Sequence, residues 1–169
     1  MEGNGTTWST LATRAIRVVL VRKEVSYARL AADLGRLGVE ESERSIEGKI
    51  LRGTFRFSFF LQSLVASGAD WPAHWESALR ANEDWERRAS MLMQSELDAR
   101  PWISWAELSR RLAAIGEHVT PEALSTQVKS GAFPATLFLQ CAVVCSFVGL
   151  ELFVDQSDLH EAARRGSAA

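Results

Sequence analysis

An internal repeat is the feature that most constrains how this chain can fold. Each residue from Val25 to Gly68 can be set beside the residue 78 positions later without a gap, and about a quarter of the pairs are identical. Two unrelated helical bundles would share an apolar pattern, but they would not share glycines and a glutamine in the same register. The sequence therefore predicts two copies of one folding unit. The pairs that carry this argument are Gly38 with Gly116, Gly53 with Gly131, and Gln62 with Gln140.

Each copy has the pattern of four helices. In the first copy, apolar residues from Trp8 to Leu20 follow the i, i+3, i+4 spacing of a helix with one buried face. A serine suited to an N-cap precedes each of the next two helices, and a glycine suited to a positive φ follows each of them. A mostly apolar fourth helix starts at Phe55. No period-two alternation indicates strands, so the predicted fold class is all-α. The capping residues are Ser26 and Gly38 for the second helix, and Ser42 and Gly53 for the third.

The repeat also sets the predicted domain boundaries. Trp71 and Trp75 lie one helical turn apart between the copies, and we expect them to pack one repeat against the other rather than stack on a ligand. The chain ends in a polar segment for which we predict one helical turn, around Leu159. We therefore assign residues 1–70 to the first repeat, 71–82 to a helical connector that begins at Pro72, 83–155 to the second, diverged repeat, and 156–169 to a polar tail.

Composition narrows the class of protein. A chain of 169 residues with 47% hydrophobic and 24% charged residues can bury a core, and its net charge of −2 removes the argument for nucleic-acid binding that a globally basic chain would supply. Cys141 and Cys145 lie in an apolar run without a nearby histidine, so we predict neither a disulfide nor a zinc site. The polar N-terminus lacks the apolar core of a signal peptide, and we expect a cytoplasmic protein.

One apolar stretch has the length of a membrane span. No charged residue occurs between Ser130 and Leu150. This stretch nevertheless contains Pro134 and Gln140, and it aligns with a helix of the first copy that Arg56 interrupts. We therefore predict a buried helix in a soluble protein and no membrane partner.

The motifs of the first copy resemble those of a known class of regulators. The pattern Ser26-x-x-x-Leu30-Ala31-x-x-Leu34, followed by Ile46-x-x-Lys49-Ile50-x-Arg52-Gly53, resembles the helix-turn-helix of the Cro/repressor (Xre-like) proteins. The resemblance implies DNA binding by the third helix. The stretch from Gly35 to Ser42 is about one helical turn longer than the tight turn of that family. The whole pattern also resembles a small bacterial family known only as a domain of unknown function, which implies no activity.

The third helix carries the candidate DNA contacts. At about 100° per residue, Ser42, Ser45, Lys49 and Arg52 share one narrow sector, away from the apolar positions of the helix. Such a stripe suits phosphates, which attract cations, and base edges, which pair with donors and acceptors. A solvated surface is the alternative, because acidic residues share the helix. The candidate DNA-binding residues are Arg44, Ser45, Lys49, Arg52 and Arg56.

The second copy lacks this charge. Its corresponding stripe is neutral, and the positions of Arg44 and Arg56 are occupied by Glu122 and Pro134. If the chain binds double-stranded DNA, we expect the first repeat to bind it and the second to support it, dimerise or hold a partner. Symmetrical binding to two half-sites of DNA would require the same side-chain chemistry in both recognition helices. The second stripe consists of Thr120, Ala123, Gln127 and Ser130.

No catalytic motif is visible in the sequence. The three histidines are scattered, and there is no Gly-rich phosphate loop and no metal-ligand spacing, so we predict no enzyme, no cofactor and no metal. Paired carboxylates occur at Glu40 and Glu41, but they precede a helix, where acids stabilise the dipole.

Two functional hypotheses follow from the sequence. The first is a DNA-binding transcriptional regulator that uses the third helix of the first repeat. The second is a non-enzymatic helical module for oligomerisation or protein binding through the second repeat, and its candidate interface residue is Trp102.

Overall fold

The structure is a computed structural model that describes residues 4–168, with side chains from residue 8 onward. It confirms the predicted all-α fold class and the four helices in each copy. Within residues 4–168, the isolated bridge between Arg56 and Pro134 is the only strand-like pairing. The helices are α1 (Asn4–Arg22), α2 (Tyr27–Arg36), α3 (Glu43–Arg52), α4 (Phe57–Ser67), α5 (Glu76–Leu79), α6 (Trp85–Asp98), α7 (Trp105–Ala114), α8 (Pro121–Ser130), α9 (Ala135–Cys145) and α10 (Gln156–Ser167), with short 3-10 turns at Ala73–Trp75 and Leu150–Leu152.

The predicted helix caps are present in both copies. Ser26 Oγ accepts a hydrogen bond from the Arg29 amide at 3.1 Å, and Ser42 Oγ accepts one from the Ser45 amide at 3.0 Å. Ser104 and Thr120 cap α7 and α8 in the same way. These side chains satisfy amides that a helix start leaves without a partner, which is why the same residue types recur at matching positions.

The two repeats interlock about a pseudo-twofold axis. The backbone bridge at the axis joins Arg56 to Pro134, which correspond to each other in the repeat. The Phe57 amide donates to the Phe133 carbonyl, and the Ala135 amide donates to the Phe55 carbonyl, both at 3.0 Å. This pairing holds Phe55 in an extended segment, so α4 begins at Phe57 and not at Phe55 as predicted.

The first helix of each repeat packs against its own third helix and also against the fourth helix of the other repeat. α1 packs against α9 of the second copy, and α6 packs against α4 of the first copy. The buried apolar residues of both copies consequently form one continuous hydrophobic cluster. Neither repeat encloses its own fourth helix, because each fourth helix is covered by an element of the other copy.

Aromatic rings fill the centre of this shared core. Phe57 of α4 stacks on Phe138 of α9 with ring centroids 4.1 Å apart. Trp75 of the connector is fully buried and contacts both of these rings as well as Phe153. Trp75 therefore joins the repeats as predicted. Trp71 instead donates a hydrogen bond to Glu76 within the connector, at 2.6 Å.

The predicted polar tail is a packed helix. α10 extends well beyond the single turn expected around Leu159, and it packs against α1 and α9. The sequence prediction was wrong because the inward face of α10 consists mainly of small residues, which contribute little apolar signal but allow helices to approach closely. This face is formed by Leu159, Ala162, Ala163 and Gly166.

The uncharged stretch from Ser130 to Leu150 folds as the end of α8, all of α9 and a following turn. Across residues 4–168, no helix combines the length and the apolarity that a membrane crossing requires.

Candidate nucleic-acid interface

The third helix of the first repeat is anchored at its C-terminal end. Ile46 and Ile50 are fully buried, and Thr13 of α1 donates a hydrogen bond to the Ile50 carbonyl at 2.6 Å. Gly53, with φ +68°, ends the helix so close to α1 that an added Cβ would lie 2.1 Å from the Ser9 carbonyl oxygen. These contacts fix the position of the turn between α3 and α4. Sequence analysis missed the role of Thr13. Upstream of Val25 the two copies align at a spacing of 77 residues, which sets Trp8 beside Trp85 and Thr13 beside another hydroxyl, that of Ser90.

Two of the predicted contact residues bind Glu41 of the same repeat. Ser45 Oγ donates to Glu41 Oε2 at 2.7 Å, and Lys49 Nζ forms an ion pair with Glu41 Oε1. Lys49 Nζ also lies 5.0 Å from the centre of the Phe59 ring. Burial raises the pKa of Glu41, but the hydrogen bonds from Lys49 and Ser45 outweigh it and hold this pKa below its ordinary value. Glu41 therefore neutralises part of the predicted cationic stripe.

Three other predicted residues are free cations. Arg44, Arg52 and Arg56 are exposed, and among the described residues none of their guanidinium groups forms a hydrogen bond or an ion pair. Many arginines elsewhere are paired; Arg110 and Arg111, for example, share Glu107. Arg44 and Arg52 lie on α3, and Arg56 lies in the turn before α4. The first repeat thus presents unpaired positive charge along α3 and just beyond its end.

An open pocket of about 440 Å³ lies beside these cations. Its lining includes Lys49, Arg52 and Arg56 of the first repeat and Glu86 from α6 of the second. The start of α4 contributes Ser58, and the connection between α2 and α3 contributes Val39 and Glu41. Sequence analysis did not identify Glu86 as a neighbour of this site, because the contact depends on the packing of α6 against α4 of the other copy.

The second repeat preserves the backbone of this region without its charge. Gly131, with φ +74°, approaches the Glu86 carbonyl as Gly53 approaches Ser9; an added Cβ would lie 1.8 Å from that oxygen. None of the side chains that correspond to the free arginines is basic, since they are Glu122, Ser130 and Pro134. Ser130 Oγ donates to the Gln127 carbonyl of its own helix at 2.9 Å. The two copies therefore share a scaffold and differ in surface chemistry.

Trp102 is an isolated exposed aromatic residue in the turn between α6 and α7. Its side chain is 69% exposed. Arg100 fixes this turn by donating to the carbonyl oxygens of Cys145 at 2.7 Å and Ser146 at 3.0 Å. Trp105, two residues after the turn, is half-buried against the core.

The groups that could support other chemistry are buried or dispersed. Cys141 and Cys145 are free and buried; burial raises the pKa of Cys141 well above its ordinary value and that of Cys145 to about 11. Within residues 4–168, no group of three histidine, cysteine or acidic side chains is arranged to hold a metal ion.

Comparison with known proteins gives one family. The sequence model of a domain of unknown function (DUF6471) matches residues 8–72 and again residues 85–147. These matches coincide with the two interlocked copies. No curated protein and no solved structure matches the chain.

Proposed function

The chain belongs to the family of this domain of unknown function, and we propose that it is a DNA-binding regulator whose first repeat contacts the phosphates of double-stranded DNA. The observation that carries the proposal is the set of three exposed, unpaired guanidinium groups at α3 and the following turn. Unpaired arginines can neutralise phosphates without first breaking an internal ion pair. The resemblance of the Ser26 to Gly53 region to Xre-like helix-turn-helix motifs supports the same function.

The side-chain pairing refines the roles of the candidate residues. We assign Arg44, Arg52 and Arg56 to phosphate contacts. Lys49 and Ser45 are held by Glu41, and their role in this proposal is to orient the face of α3 beside the pocket. The residues between α2 and α3 form a longer connection than the tight turn of the Xre-like proteins. This longer connection favours DNA contact through the C-terminal end of α3 and the turn after it.

The second repeat acts in this proposal as a scaffold. Its third helix, α8, is related to α3 by the pseudo-twofold axis, but it has Glu122 and Ser130 where α3 has Arg44 and Arg52. Phosphates repel an acidic side chain at such a position. We therefore propose one DNA contact surface per chain and not two equivalent ones.

Fluorescence anisotropy with a labelled mixed-sequence duplex at low salt tests this function. We expect the triple variant Arg44→Ala/Arg52→Ala/Arg56→Ala to bind at least about tenfold more weakly than the unmodified chain, because each lost cation removes counterion release. The matched control is Arg17→Ala/Lys23→Ala/Lys129→Ala, which removes equal charge from exposed positions elsewhere. Equal weakening in both variants, or no binding by the unmodified chain, would contradict the proposal.

A second candidate function rests on Trp102. A tryptophan that is 69% exposed is an efficient anchor for a protein interface. The alternative is a helical module that self-associates through this residue. Sedimentation of the unmodified chain and of Trp102→Ala tests it: a dimer that dissociates in the variant supports this role, and a monomer in both rejects it.

A further inference from the structure

The pocket between α3, α4 and α6 has features that DNA binding alone does not explain. It recedes behind the exposed arginines, and buried side chains of α4 line it together with residues of both repeats. We propose that this pocket binds a small molecule through a phosphate group, which Arg52, Arg56 and the N-terminal end of α4 hold together.

The start of α4 is the first element of the site. No side chain caps α4, whose N-cap residue is Arg56, and the same holds for α9 and α10. The Phe57 amide is used by the Phe133 carbonyl, whereas the Ser58 amide has no hydrogen-bond partner among the described residues. A helix of eleven residues with a free amide in its first turn attracts an anion through its dipole and through that donor.

Ser58 is the second and independent element. Its side chain is only 3% exposed and lines the pocket, yet within residues 4–168 its hydroxyl group has no hydrogen-bond partner. Gln62, one turn further along α4, also lines the pocket without a partner. The protein pairs neither side chain, so both are donors that are available to a ligand in the pocket. A phosphate oxygen would accept the hydrogen bonds that Ser58 and Gln62 can donate.

The charge of the pocket suits a compact ligand. Arg52 and Arg56 are available, while Glu41 neutralises Lys49. Glu86 lies in the lining contributed by α6, and its carboxylate disfavours an extended polyanion inside the pocket. A ligand with a compact phosphate or diphosphate group could bind Arg52 and Arg56, and a hydrogen-bond donor on the same ligand could bind Glu86. In the second repeat, Gln127, Ser130 and Pro134 replace the cations, so we assign one such site per chain.

Phosphate binding in the pocket would affect DNA binding, because both ligands use Arg52 and Arg56. This consequence depends on the proposed DNA-binding function, whereas the pocket itself does not. A bound phosphate would neutralise two of the three free arginines and weaken the attraction for the duplex. The pocket would then make DNA binding responsive to a small phosphorylated molecule.

Calorimetric titration of the full chain with pyrophosphate, in buffer without other multivalent anions, tests the site. We expect saturable binding with a stoichiometry of one. Arg52→Ala/Arg56→Ala should reduce the affinity at least about tenfold, and the charge-matched Arg17→Ala/Lys129→Ala should not. Ser58→Ala should weaken binding about threefold to tenfold. The control Ser63→Ala removes a buried serine of the same helix that already donates to the Phe59 carbonyl.

Two further variants separate this proposal from the DNA-binding function. Glu86→Gln should strengthen pyrophosphate binding about twofold to fivefold, because it removes a repulsive carboxylate. Arg44→Ala should weaken DNA binding without affecting pyrophosphate, since Arg44 is not part of the pocket lining, and Ser58→Ala should do the reverse. Absence of saturable pyrophosphate binding at millimolar concentration, or equal effects of Ser58→Ala and Ser63→Ala, would overturn the site whatever the result with DNA.

Discussion

At the scale of single residues, the turn after α3 depends on a glycine for two separable reasons. Gly53 and Gly68 have nearly the same φ, +68° and +69°, but only Gly53 faces a carbonyl oxygen that an added Cβ would overlap. We expect Gly68→Ala to lower the free energy of unfolding by about 1 to 2 kcal/mol, through backbone strain alone. Gly53→Ala should lower it by about 3 to 5 kcal/mol, because the overlap adds to the strain. Urea denaturation measures both, and equal losses would contradict the close approach of α1.

A buried carboxylate makes Arg100 more important to stability than the other paired arginines. Glu96 is 5% exposed and lies 3.3 Å from Arg100 Nη1 and 2.5 Å from His74 Nε2. We predict that Arg100→Ala lowers the free energy of unfolding by about 3 to 5 kcal/mol, because it leaves the buried Glu96 carboxylate without its guanidinium partner. Arg110→Ala breaks an exposed pair with Glu107 and should lower the free energy of unfolding far less. Thermal unfolding measures both variants, and equal midpoints would contradict the greater importance of Arg100.

Local residue roles could be predicted from the sequence where they depend on neighbouring residues. Ser26 and Ser42 cap their helices as predicted because a cap needs only the next three residues. The pairing of Glu41 with Lys49 was not predicted, since it depends on how the chain enters α3. The place of Ser58 in the pocket lining was not predicted either, because only the packed structure determines which polar groups line a pocket.

At the scale of elements, α10 completes the core although it lies outside both copies of the repeat. Leu159 is 1% exposed on the face that meets α1 and α9, whereas His160 on the same helix is exposed. We predict that Leu159→Ala lowers the free energy of unfolding by about 2 to 5 kcal/mol through the cavity it creates. His160→Ala should change it by less than about 0.5 kcal/mol. A small effect of Leu159→Ala in chemical denaturation would mean that α10 is not part of the cooperative unit.

The sequence predicts where helices form, but it does not predict which helices pack against each other. The periodic apolar residues of α1 identify a buried face, but they do not reveal that α9 of the other copy shares in covering it. The start of α4 illustrates the same limit: Phe55 fits the helical pattern, yet its carbonyl pairs with Ala135 across the axis.

At the scale of the whole molecule, the packing of each first helix against the fourth helix of the other copy makes the two repeats mutually dependent. A fragment of residues 1–82 would lose α6, which covers α4, and α9, which contacts α1. We predict that this fragment has no cooperative unfolding transition as a monomer, and that adding a fragment of residues 83–169 restores one. Circular dichroism during urea titration, with sedimentation to verify the oligomeric state, measures this. A monomeric fragment that unfolds cooperatively would contradict the interlocked arrangement.

The pseudo-twofold axis also gives the DNA-binding account an internal control, because α8 has the same setting as α3 without its free arginines. The most direct test is NMR mapping of backbone amide shifts in the full chain as a short duplex is added. We predict that the chemical-shift changes concentrate between residues 42 and 59 and that the corresponding residues 120–137 show little change. Equal shifts in the two segments, or shifts concentrated around Trp102, would contradict the claim that the first repeat carries the function.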